Sequence, residues 1–251
     1  RTTGDEQGDR EQNAMRFQYL VEPSDDSSLR LEAHYANSEG GQRGIKSHGL
    51  FADTGFGGPA CVNIDLDDLK SSCVDGFGAA VIEDNDVVTS DLANDRDDIE
   101  AFGISATYKL DRGDYTITSI TAIEQNEYDH WEDADGLPVP FVLFRQKSDT
   151  DQFSQEIRLA SDDDSNVRWI VGAYLFEETT EFSTAVPIAL FDPAASFSDN
   201  NLVDHDTSMI SVFGKFDMDI TEKLTLSTGL RWIDEKKEGN AQYQFAVGLD
   251  S

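Results

Sequence analysis

The residues with the means to do chemistry are four histidines, two cysteines and a dense set of carboxylates. His34, His48, His130 and His205 lie far apart, with no two at a helical ligand spacing. Neither a GxSxG elbow nor an HExxH zinc helix occurs. With no nucleophile, base and orienting group in one motif, the expectation is a protein that is not an enzyme and uses no cofactor. The run Asn63-Ile64-Asp65-Leu66-Asp67-Asp68 opens like an oxygen-rich calcium loop. Asp68 stands where that loop needs glycine, and Val74 where it needs a bidentate glutamate, so an EF-hand is rejected. Loose cation binding by Asp65, Asp67, Asp84 and Asp86 stays open beside a simply solvated acidic loop. Cys61 and Cys73 are close enough to close a small disulfide ring in an oxidising compartment, the alternative being two free thiols. Their spacing is not that of a zinc knuckle, and no metal site is expected.

A second kind of chemistry is recognition. Tyr128, His130 and Trp131, then Phe141, Phe144 and Arg145, place aromatic rings and one guanidinium in what reads as a loop. The next long connection holds Phe182, Pro187, Phe191, Pro193 and Phe197. Aromatic faces stack on a ligand, and arginine pairs with anionic groups. The same residues also serve to pack such loops onto one another, and that is the reading the sequence favours over ligand contact. Gly55-Phe56-Gly57-Gly58 and Gly76-Phe77-Gly78 lack the strand-glycine-helix setting of a phosphate cradle.

The elements that must position these residues are strands. The chain has 251 residues and a formal net charge of −31, which excludes nucleic acid as a natural partner because both carry the same sign. Hydrophobic residues at 38% and aromatics at 10% are enough for a folded body. No apolar run reaches the roughly 18 residues of a membrane helix, but a barrel strand needs only about ten, apolar on one face. The period of two recurs in eight segments: 14–22, 28–36, 99–110, 115–125, 153–160, 167–176, 208–218 and 224–232. A ninth is expected near Gln242, where Tyr243, Phe245 and Val247 share a side.

Polar turns at 23–27, 111–114, 161–166 and 219–223 alternate with long acidic connections at 37–98, 126–152 and 177–207. Up-and-down antiparallel strands put all the short turns at one end and all the long connections at the other. That asymmetry belongs to outer-membrane barrels. Arg16, Arg30, Glu32, Glu156, Arg158, Lys215 and Arg231, on the polar sides of their strands, are expected to face a wet lumen, where such charges pair between strands. His34 shares that side. Aromatics near strand ends (Tyr19, Tyr35, Tyr108, Tyr115, Phe153, Trp169, Phe216 and Trp232) suit interfacial girdles as well as they suit the core of a sandwich.

Four segments then resemble the barrel of TonB-dependent outer-membrane receptors: Asp151-Gln152-Phe153-Ser154-Gln155-Glu156-Ile157-Arg158-Leu159-Ala160-Ser161 with the strand Arg168 to Phe176; Ser211 to Phe216 with Ile220 to Trp232; Tyr115 to Ala122; and the hairpin Leu20 to Asp26. What the resemblance implies is a segment of about eight to nine strands from a barrel of roughly 22 with a plugged lumen. It implies residence in the bacterial outer membrane, contact with lipid, and energised import of a scarce nutrient such as a ferric siderophore, a cobalamin or a glycan. The TonB energy-coupling complex would be engaged by parts of the receptor that these residues do not resemble. No plug domain, energy-coupling box or aromatic-ended final strand is recognisable, so the chain reads as an internal barrel segment over residues 1–251. A passive porin and a secreted β-sandwich binding or adhesion module are the competing expectations.

Overall fold

The computed structural model describes residues 8–41, 45, 96–136, 141–162, 166–188 and 197–247. Within them the chain is one antiparallel sheet of eight strands in sequence order: β1 Arg10–Ser24, β2 Ser27–Gly40, β3 Arg96–Asp111, β4 Tyr115–Asp133, β5 Leu143–Ser161, β6 Val167–Ile188, β7 Phe197–Thr221 and β8 Leu224–Val247. Each strand pairs with the next, so the short turns do share one end of the sheet. At the β3–β4 turn Gly113 adopts φ of 80°, a left-handed value that a side chain resists. The sheet does not close: β1 and β8 are its two edges. Cys61, Cys73, His48, Asp65, Asp67, Asp84, Asp86, Phe191 and Pro193 lie outside the described residues.

Two expectations change. The connections at 126–152 and 177–207 are mostly strand: β4 runs on to Asp133, β5 begins at Leu143, β6 reaches Ile188 and β7 begins at Phe197. The stretch near Gln242 is no ninth strand but the far part of β8, paired with β7 through Leu202↔Gln242. Both changes have one cause. A strand is visible in sequence where one face is apolar and the other polar. Beyond the apolar stretch both faces are polar or mixed, yet the hydrogen-bond ladder continues because the neighbouring strand continues.

Register shows how consistent the apolar face is. Met15 pairs with Tyr35, Tyr35 with Phe102, Ile104 with Ile123, Ile123 with Phe153, Leu159 with Val171, Leu175 with Ile210 and Val212 with Trp232. All of these lie on one side, here called outer. They are exposed: Phe17 is 65% accessible and Leu230 82%. No second sheet covers them among the described residues. The opposite, inner face is more crowded. A Cβ on Gly103 would stand 2.1 Å from Glu124 Oε2 and 2.3 Å from His34 Cε1; one on Gly172 would stand 2.5 Å from Phe213 Cζ. On the outer face, a Cβ on Gly214 would meet nothing closer than 3.5 Å. Side chains crowd on the concave side of a curved sheet and diverge on the convex side. Gly229 and Gly239, on the inner face of the edge strand β8, are open, with nothing nearer than 3.4 and 3.5 Å, so the crowding belongs to the strands flanked on both sides, and there the polar inner face is the concave one.

The outer apolar band ends abruptly on every strand. Its last members toward the long-connection end are Met15, Tyr35, Phe102, Ile123, Phe153, Leu175, Ile210 and Trp232. The next outer residues are Asn13, Asn37, Glu100, Gln125, Asp151, Glu177, Ser208 and Asp234. This border does not follow the hydrogen-bond rows. It steps toward the turns by two residues at β3–β4, where Phe102 faces Gln125, at β5–β6, where Phe153 faces Glu177, and at β7–β8, where Ile210 faces Asp234. Across seven strand pairs that amounts to about 20 Å along the strands for about 34 Å across them, a slope of roughly 30°.

Candidate functional site

The strand segments beyond the border carry most of the residues whose types suggested recognition. Tyr128, His130 and Trp131 belong to β4 and Phe144 and Arg145 to β5, while Phe141 lies in the connection between them. Because side chains alternate, the sheet divides the set. Tyr128, His130 and Phe144 point to the inner face; Trp131 and Arg145 point to the outer one.

On the inner face Asp97 of β3 is the hub. Arg10 of β1 reaches over Gly40 to form an ion pair with it. The Tyr128 hydroxyl donates to Asp97 Oδ1 at 3.0 Å, and His130 Nδ1 lies 3.2 Å from the same oxygen. His130 Nε2 lies 3.2 Å from Glu132 Oε2. The Tyr128 and His130 rings stack at 5.8 Å, and Phe144 tilts against His130 at 6.2 Å. Burial and the bond to Asp97 push the Tyr128 phenol up to about 12. Burial alone would raise Asp97, but the hydrogen bonds from Tyr128 and His130 and the charge of Arg10 outweigh it and hold the carboxyl below its ordinary value. Sequence reading missed Asp97 because it sits in the acidic run Asp95 to Asp98; alternation with Ile99 on its own side was the available signal.

On the outer face three cations converge on Asp129: Arg96 at 3.2 Å, Arg145 at 3.6 Å and Lys147 at 3.7 Å. The Arg145 guanidinium also lies 5.0 Å from the centre of the Trp131 ring. These two expected ligand contacts therefore engage each other. Asp133 closes the end of β4, its Oδ1 accepting from Asp135 N at 3.0 Å and Gly136 N at 2.9 Å.

The two faces of this region differ in kind. One outer row links Glu100, Glu127, Asp149, Glu181 and Asp204 as direct cross-strand partners, with Asn37 and Asn240 at its ends. Like charges placed opposite one another repel. The neighbouring inner row runs Gln12, Ser38, Ile99, Tyr128, Ser148, Phe182, Val203 and Ala241 across all eight strands, without a single charge. The inner row on the turn side of it is nearly as neutral, with Asn126, Thr150 and Thr180 in register and His205 its one titratable group. Thr150 and Thr180 share a hydrogen bond at 3.2 Å.

Nearer the turns the inner face is charged and paired. Arg16, Arg30, Glu32, Glu156, Arg158, Lys215 and Arg231 all lie on it by register. Arg16 meets Glu32 at 3.5 Å, Arg158 pairs with Glu156, and Lys215 meets Asp217 at 2.8 Å. His34 and Glu124 join at 3.1 Å, bridging β2 and β4 across the bare backbone of Gly103. Arg231 donates to buried Ser211 at 2.9 Å and covers the Phe213 ring at 5.9 Å. Polar residues that fall within the outer band satisfy one another: Thr121 donates to Gln155 at 2.5 Å, and Gln155 donates to Ser119 at 3.0 Å. Among the described residues no group of three or more His, Cys, Asp or Glu side chains is placed to hold a metal ion.

A long up-and-down sheet with a convex apolar band and a concave polar face has solved counterparts. The chain is similar to the ferric yersiniabactin uptake receptor FyuA of Yersinia pestis, with a TM-score of 0.60 at 13% identity, over 94% of this chain and 34% of that one. The fold is that of a TonB-dependent receptor barrel wall. The siderophore receptor PiuA of Acinetobacter baumannii aligns over 97% of this chain and 41% of its own, with a TM-score of 0.46 and 11% identity. The chain thus spans about a third of the first receptor's length. No protein-family model matches the sequence, and no curated protein does. At such identities the likeness is one of fold.

Proposed function

We propose that residues 1–251 are part of the barrel wall of a TonB-dependent receptor in a bacterial outer membrane, importing a scarce nutrient such as a ferric siderophore, a cobalamin or a glycan. The observation that carries this reading is the sloping apolar band. A flat hydrocarbon layer crossed by tilted strands must cut the hydrogen-bond rows at the tilt angle. The roughly 30° slope found here is close to the ~35–45° tilt of barrel strands. The band is about nine residues long on β6, from Val167 to Leu175, or about 26 Å along the strand and about 23 Å in height at that tilt. That is near the ~25 Å apolar height of an outer-membrane barrel. A secreted sandwich would bury this face against a second sheet, and the described residues hold none. Lipid is then the partner of the outer face, and the paired charges from Arg16 to Arg231 line the lumen. Energy coupling and gating belong to other parts of the receptor.

The test is to locate the full-length protein by membrane fractionation and follow its uptake with and without a protonophore. Outer-membrane recovery with protonophore-sensitive uptake is expected. Uptake indifferent to the protonophore would make it a passive porin, and recovery as a soluble protein would end the membrane reading.

A further inference from the structure

We infer that the ligand met by this segment is uncharged, a hydroxyl- or amide-rich molecule with apolar faces, and not a polyanionic chelate. This rests on the receptor reading. The inner face beyond the border is where such a ligand would meet these strands, and its two adjoining rows offer Tyr128 and Phe182 as flat apolar surfaces among Asn126, Ser148, Thr150 and Thr180. Hydroxyls and amides both donate and accept, which suits a ligand with the same groups. A polyanion would instead need free cations. Among the described residues those on this face are engaged: Arg10 by Asp97, Lys237 by Glu235 at 2.9 Å, His130 between Asp97 and Glu132, and His205 by Thr207 at 3.5 Å. Taking them would strip carboxylates of their partners.

The outer surface adds a second barrier. The carboxylate row from Glu100 to Asp204 lies one strand thickness behind the neutral row. Such a field slows the approach of anions and leaves neutral molecules unaffected. Two sources share the inferred chemistry, a neutral oligosaccharide and a neutral ferric trihydroxamate.

The experiment is a binding assay on the purified full-length receptor in detergent at about 0.15 M salt. The three probes are an uncharged glucan oligosaccharide, a neutral ferric trihydroxamate and a trianionic ferric tris-catecholate. One neutral probe should bind at least about 100-fold more tightly than the trianion, and which one binds names the source. Phe182→Ala should weaken that binding about tenfold and Phe182→Trp should preserve it, while Glu181→Ala, one residue away and facing outward, should change it less than about twofold. A trianion bound as tightly as either neutral probe overturns the inference and leaves the receptor reading intact. Saturable binding by none of the three overturns it as well, and the reading beneath it is then judged separately by fractionation and protonophore sensitivity.

Discussion

The same eight strands make two different surfaces, divided by one sloping line. On the turn side of that line the convex face is Leu, Ile, Val, Phe and Trp, and the concave face holds paired charges. On the far side the convex face carries a carboxylate row, and the concave face carries a neutral row of aromatic rings, hydroxyls and amides beside the charged cluster around Asp97. Backbone geometry is alike in both. What changes is the medium each face must satisfy. On the proposed reading the outer band meets lipid, where a charge is costly, and its polar groups Ser119, Thr121 and Gln155 bond one another. Against water the outer face tolerates like charges in direct register, each costing only a fraction of a kcal/mol. Fold alone therefore does not decide what a strand position tolerates; its height relative to the border does.

The largest expected effect follows from that rule. Val171 lies in the middle of the apolar band on β6, and Thr179 lies beyond the border on the same strand and face. If the band faces lipid as proposed, Val171→Arg should destabilise the membrane-inserted protein by roughly 2–4 kcal/mol. Thr179→Arg should stay within about 0.5 kcal/mol of zero, as an ordinary surface change does. Urea unfolding of the two variants in lipid vesicles compares them directly. Similar costs would mean that the border does not mark the edge of the bilayer.

This division also explains what could be read in the sequence. Near the turns, alternation is driven by two unlike media, so strand type, strand order and the shared face of Arg16, Glu32, Glu156, Arg158 and Arg231 are all visible in residue type. Beyond the border both faces meet water. There Tyr128 and Trp131 look like one aromatic cluster, although the pleat sends them to opposite sides. Extra strand length was hidden for the same reason: Glu177 to Ile188 has no clear apolar period, yet β6 continues because β5 and β7 flank it. Asp97 was hidden because its partners, Arg10, Tyr128 and His130, come from other strands, 87, 31 and 33 positions away.

A smaller effect separates the concave from the convex face at one height. Gly172 and Gly214 are neighbouring glycines of β6 and β7 on opposite faces. A Cβ at Gly172 would meet Phe213 Cζ at 2.5 Å and the Ile157 carbonyl oxygen at 2.9 Å, whereas at Gly214 the nearest atom is Val171 Cγ1 at 3.5 Å. Gly172→Ala should cost about 1–3 kcal/mol, because the backbone oxygen cannot rotate away. Gly214→Ala should be neutral or gain about 0.5 kcal/mol from the stiffer unfolded chain. Unfolding midpoints in detergent give the comparison, and a costly Gly214→Ala with a harmless Gly172→Ala would reverse the assigned curvature.

The smallest effect tests the two faces beyond the border, and Tyr128 reports it. Its phenol is half-buried and bonded to Asp97, with Glu132 adding negative charge, and it is held up to about 12 against an ordinary value near 10. A raised phenol keeps its proton in the folded state after the unfolded chain has lost its own. The stability this contributes is therefore complete below about pH 10 and is lost as pH rises from there toward 12. Absorbance at 295 nm, taken as the difference between the protein and its Tyr128→Phe variant, isolates the one phenol. Asp97→Asn removes both the bond to an anion and the charge, and should bring the midpoint down toward 10. A midpoint near 10 in the unaltered protein would show the concave face to be as wet as the carboxylate row behind it. The neutral row would then be ordinary solvated surface, and the contrast between the two faces would be one of residue type alone.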